Sequence, residues 1–128
     1  MYTLTQIEAK LKLARAAGLS GAELLANRER ARRVCNGIGA AWMWAWVRWI
    51  IGELCPHLVV VADIHDLRYE TGGTGIDRWL ADWEFLANGF RMAIFTGMYR
   101  QVALKALMLW ICLRIGGRAA FHYRKEGK

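Results

Sequence analysis

VVVADIHDLRYETGGTGIDRWLADWEFL, residues 59–86, reads as two helices joined by a tight reversal. Apolar residues recur at helical spacing over 59–70, and the run stops at Thr71-Gly72-Gly73-Thr74-Gly75, where glycines allow the chain to turn back. A second helix starts near Asp77 and carries Trp79, Leu80, Trp83, Phe85 and Leu86. So short a connection sets the two helices antiparallel.

Upstream, Thr3 or Thr5 caps a first helix that runs to about Ala17 and stops at Gly18. Ser20 and Glu23 have the spacing of a capping box, which opens a second helix through Arg33. A short loop follows, Cys35-Asn36-Gly37-Ile38-Gly39. Residues 41–54 form a helix with Trp42, Trp46 and Trp49 on one face, suited to core packing or to a lipid headgroup region. Pro56 breaks the chain before the 59–70 helix. Downstream, Asn88-Gly89, Thr96-Gly97 and Gly116-Gly117 mark breaks. Residues 102–115 are strongly apolar but interrupted by Lys105 and Arg114, which describes a core or interfacial helix and not a membrane span; Cys112 within it reads as a core residue. The expectation is an all-α fold, a single helical domain over residues 1–128.

Charge is distributed unevenly. The formal net charge is +7, yet residues 59–89 hold six acids against two arginines, a balance of −4 that leaves +11 on the remainder. An acidic island in a basic chain suits a cation site within a surface that attracts anions; solubility alone is the other reading. No basic segment carries a nucleic-acid-binding motif, so nucleic acid is not expected as a partner. Three cysteines without close spacing argue against a disulfide framework and against zinc. The first residues lack the pattern of a signal peptide, which leaves the cytoplasm as an expected location.

The chemistry lies in Asp63-Ile64-His65-Asp66-Leu67-Arg68-Tyr69 and Ala81-Asp82-Trp83-Glu84-Phe85. On a helix, His65 and Tyr69 share a face and Asp66 lies about 100° round from His65. An imidazole and a carboxylate so placed can flank one point, the first taking a proton from water while the second holds a metal. A histidine base needs a carboxylate on its second nitrogen. Asp82 supplies one if the hairpin brings it opposite His65; Asp77 is the competitor, although its place at the helix start is explained by an N-cap role.

The combined pattern, His-Asp-x-x-Tyr, a glycine turn, then Ala-Asp-x-x-Phe, resembles the phospholipase A2 superfamily, and most nearly its compact viral, phage and microbial branches. The resemblance implies that His65 is the general base, Asp82 the dyad aspartate and Tyr69 its hydrogen-bonding partner. It further implies Ca2+ held by Asp66 and by backbone carbonyls of a loop, for which Cys35, Gly37 and Gly39 are the matching positions. The implied activity is calcium-dependent cleavage of the sn-2 ester of glycerophospholipids at a phospholipid membrane surface, with anionic lipid favoured by the basic charge. A non-enzymatic membrane- or virion-associated protein that keeps the scaffold is the alternative.

Overall fold

The computed structural model describes residues 2–35 and 56–116, all of whose regular structure is helical. Helix α1, Leu4–Ala16, starts where Thr3 and Gln6 form a capping box: the Gln6 N–H donates to Thr3 Oγ1 (3.1 Å) and the Thr3 N–H to Gln6 Oε1 (2.8 Å). It ends at Gly18, whose left-handed φ of +70° turns the chain.

The expected helix from Ser20 to Arg33 is instead divided into a 3-10 turn, Ala22–Ala26, and α2, Arg28–Cys35. Ser20 is no cap. Its hydroxyl donates to Glu84 (2.8 Å), and its backbone N–H and C=O are both taken by the Asn88 side chain (2.8 Å each). Gly21 has φ +84°, and a Cβ there would lie 2.8 Å from Ile64 Cγ2, so side-chain crowding as well as dihedral preference requires glycine. Asn27 caps α2 by accepting from the Arg30 N–H at 3.2 Å.

After a 3-10 turn, Pro56–Leu58, comes α3, Val59–Thr71. The expected boundaries hold there within a residue. Gly72 (φ +71°) and Gly73 (φ +137°) make the reversal, and Thr74 caps α4, Gly75–Thr96. Asp77 is the third residue of that helix and not its N-cap: its carboxylate accepts the Thr74 N–H at 2.8 Å, completing a capping box. Contacts between α3 and α4 run in opposite order: Tyr69 meets Arg78, His65 meets Asp82 and Phe85, and Leu58 lies opposite Gly89.

The break expected at Asn88-Gly89 does not occur. Asn88 is fully buried and spends its amide on the Ser20 backbone, while Gly89 lets α5, Tyr99–Gly116, approach so closely that a Cβ would stand 2.4 Å from that of Ala106. Polar and small residues that read as punctuation serve here as packing. The break at Thr96-Gly97 does occur, with Gly97 at φ +74°.

Helix α3 is the axis of the domain. Residues 60–67 are buried on every side, polar ones included. Such a helix must find partners for Asp63, His65 and Asp66, because an unpaired buried charge costs several kcal/mol or changes protonation state. Lys10 of α1 meets Asp63 at 2.9 Å, and Arg30 of α2 meets Glu70 at 2.7 Å. Around this axis Ile7, Leu25, Leu58, Ile64, Leu67 and Phe85 fill the core.

The outer side of α4 and α5 is different. On α4, Trp79, Trp83, Phe90 and Ile94 recur at helical spacing and stay 40–66% exposed. On α5, Leu104, Met108, Ile111 and Ile115 do the same at 46–81%. Cys112, expected in the core, is exposed, because α5 buries only Val102, Ala106 and Leu113. Among the described residues no helix is long and apolar enough to cross a membrane. The tryptophan-rich stretch 41–54 lies outside the described residues.

Candidate active site

Three of the residues singled out in the sequence meet. His65 and Tyr69 project from successive turns of α3, and Asp82 answers from α4. Asp82 Oδ1 lies 2.8 Å from His65 Nε2 and accepts the Tyr69 hydroxyl at 2.5 Å. The two rings meet at 4.0 Å between centroids, tilted by 43°, and Phe85 closes edge-on against His65 at 5.4 Å. Asp77, the competing carboxylate, is occupied with the helix cap.

Asp82 has further partners that were not expected. Its Oδ2 accepts from Arg114 Nη1 at 2.6 Å, and Arg78 Nε stands 3.9 Å away. Arg78 in turn donates through Nη2 to the carbonyls of Leu113 (2.8 Å) and Arg114 (3.1 Å), satisfying backbone acceptors at the end of α5. One carboxylate therefore ties together α3, α4 and α5. In the sequence Arg114 registers only as an interruption of an apolar run, and Arg78 only as one of two arginines in an acidic stretch. The one available signal was that an arginine inside an otherwise apolar helix needs a buried acceptor.

Burial and charge set the protonation states. His65 is 1% exposed and Asp82 0%. Desolvation pulls the His65 pKa below its ordinary value, and the opposing pull of Asp82 does not restore it. Burial alone would raise the Asp82 pKa, but hydrogen bonds from His65, Tyr69 and Arg114 overcome this and hold it below the usual carboxylate value. Tyr69 is pushed upward, first by burial and then by its bond to Asp82, and keeps its proton. A neutral imidazole beside an ionised carboxylate carries its hydrogen on Nε2, toward Asp82, and its lone pair on Nδ1. Nδ1 is the nitrogen able to accept a proton.

Of the residues expected around calcium, Asp66 and Cys35 are among those described. Asp66 is buried on α3 beside His65. Cys35 is the last residue of α2 and not part of an open loop; its thiol points at the Asp63 carbonyl, 3.6 Å away. Gly37 and Gly39 lie outside the described residues. Among the described residues no group of three or more histidine, cysteine, aspartate or glutamate side chains is disposed to hold a metal ion. The acidic island is largely committed elsewhere: Asp63 to Lys10, Glu70 to Arg30, Glu84 to Arg68, Asp82 to Arg114, and Asp77 to its cap.

A cleft of about 330 Å³ opens at the α3–α4 turn, bordered by Arg68, Thr71, Asp77, Leu80 and Glu84; His65 is not on its wall. No protein-family model, curated protein or solved structure matches the chain. The resemblance to phospholipases A2 therefore rests on the motif residues and their arrangement.

Proposed function

We propose that the chain is a calcium-dependent phospholipase A2-like hydrolase that cleaves the sn-2 ester of glycerophospholipids at an anionic membrane surface, from the cytoplasm or a virion. The supporting observation is the His65–Asp82–Tyr69 arrangement, at 2.8 and 2.5 Å. In this reading His65 Nδ1 takes a proton from a water as its oxygen attacks the ester carbonyl. The tetrahedral intermediate then expels the lysophospholipid alkoxide, which recovers the proton from His65. Asp82 holds the ring's orientation and stabilises the imidazolium, while Tyr69 and Arg114 hold Asp82. Calcium bound by Asp66 and by carbonyls of the segment 35–39 would supply a positive centre for the phosphate and the developing oxyanion.

A second reading has its own observation. With 1% exposure, His65 also suits a polar pin in the core of a non-enzymatic membrane- or virion-associated protein. Hydrolysis of phospholipid by wild type and His65→Ala, each with calcium and with chelator, separates the two. The enzyme reading expects calcium-dependent release of fatty acid and a loss of about 10²–10⁴-fold or more in His65→Ala at unchanged helicity. A folded wild type without hydrolysis in calcium supports the second reading.

A further inference from the structure

We infer that the outward face of α4 and α5 is a docking surface for anionic lipid, with the two helices lying in the plane of the interface. This deepens the lipid reading above by assigning the contact to particular residues, and it is tested separately.

The first observation is continuity. The exposed stripes of the two helices are joined where the Trp83 and Trp110 rings meet at 5.0 Å, and Trp79 extends the cluster at 5.6 Å from Trp83. Indole rings, apolar but with a polar N–H, favour the boundary between headgroups and acyl chains. An exposed apolar surface running along two helices is unusual for a chain that stays in water.

The second observation concerns charge and chooses the occupant. Residues 78–116 contain two carboxylates, and neither is available on this face: Asp82 is 0% exposed, and Glu84 is held by Arg68 at 3.0 Å and by Ser20 at 2.8 Å. The cations of the same stretch include Arg91 and Arg100, which are exposed near the α4–α5 turn. Apolar residues with cations at the margin complement a surface of acyl chains beneath anionic headgroups. Among the described residues, a second copy of the face would bring the same cations together without a carboxylate to meet them. A helix carrying such a face lies on a bilayer and does not span it, consistent with the length and polarity of α4 and α5.

The test uses the full chain and sedimentation with phosphatidylglycerol/phosphatidylcholine vesicles or pure phosphatidylcholine vesicles. Ile94→Glu/Met108→Glu alters two side chains that are each 66% exposed, so the core is untouched. Lys12→Glu on α1 changes the net charge by the same −2 while leaving the face intact. Wild type is expected to bind the anionic vesicles at least about tenfold more tightly than the zwitterionic ones. The double variant should lose about tenfold or more, and Lys12→Glu no more than about threefold, with circular dichroism unchanged. Wild type failing to bind, the double variant binding as wild type does, or both variants losing equally would overturn the assignment. So would a vesicle-free dimer, seen by sedimentation velocity, that the double variant converts to monomer, since the face would then be a protein–protein contact. Hydrolysis of a dispersed short-chain phospholipid keeps the two readings apart: its persistence in a variant that no longer binds vesicles leaves the catalytic proposal standing. Vesicle binding by His65→Ala leaves the docking face standing.

Discussion

Replacing Asp82 by asparagine keeps the shape of the side chain and removes its charge. The wild-type carboxylate is 0% exposed and takes hydrogen bonds from His65, Tyr69 and Arg114, with Arg78 at 3.9 Å. Asparagine has one acceptor oxygen. If it stays with His65 and Tyr69, the amide NH2 faces Arg114, donor against donor. Removing one partner of a buried charge pair costs about 3–5 kcal/mol. The Arg114 side chain is 30% exposed and can recover some solvation, which places the expected loss near the lower end, about 3 kcal/mol. Against a total of about 5–15 kcal/mol for a domain this is a large fraction. At roughly 4 °C per kcal/mol it corresponds to a drop in Tm of about 12 °C. The reference is Glu84→Gln, whose partner Arg68 is 36% exposed and whose loss should stay near about 1 kcal/mol. Urea melts followed at 222 nm, with slopes compared, measure both. A loss below about 1 kcal/mol for Asp82→Asn at unchanged slope would refute the view that this carboxylate ties three helices together.

Stability should also fall with acid below the ordinary histidine range. The folded His65 pKa lies below about 6.5, so above that pH both states are neutral, and below it the unfolded chain takes up the proton first. The urea midpoint is expected to drop as pH falls from 6.5 to 5, and His65→Gln to flatten that portion of the curve. Asp82, its folded pKa depressed, adds a loss that begins below about pH 3.9 as pH falls toward its folded value. Gly89→Ala should destabilise by about 1–3 kcal/mol despite alanine's better helix propensity, because its Cβ would stand 2.4 Å from that of Ala106; a more stable variant would deny the close approach of α4 and α5. In calcium titrations Asp66→Asn should abolish binding with helicity retained by circular dichroism. Asp63→Asn should lower stability through loss of the Lys10 pair at 2.9 Å while calcium binding survives, and the reverse pattern would move the metal one turn along α3.

What could be read in the sequence was what local chemistry decides. The span of α3, the glycine reversal and the end of α4 each follow from residues within a few positions of the boundary. Where the reading failed, the deciding partner was distant in sequence. Ser20 has the spacing of a cap, but Asn88 and Glu84, 68 and 64 residues away, compete for its groups and win. Asn88-Gly89 has the composition of a turn, yet a buried amide partner and a close helix neighbour keep it helical. Hydropathy puts Cys112 in the core, whereas α5 turns only one narrow face inward.

The site divides along the same line. His65, Tyr69 and Asp82 were legible because a hairpin with a three-residue link allows little choice of register. Arg114 was not, because its contact with Asp82 spans 32 residues and depends on the α4–α5 packing that Gly89 permits. The same distance explains the acidic island. In sequence it is an uncompensated −4; in space Lys10, Arg30 and Arg114 bring cations to it from three other helices. Most of its carboxylates hold the scaffold around α3. The basic excess is partly consumed in that task, and the exposed cations near the α4–α5 turn, beside an apolar face, are what a negatively charged surface would meet.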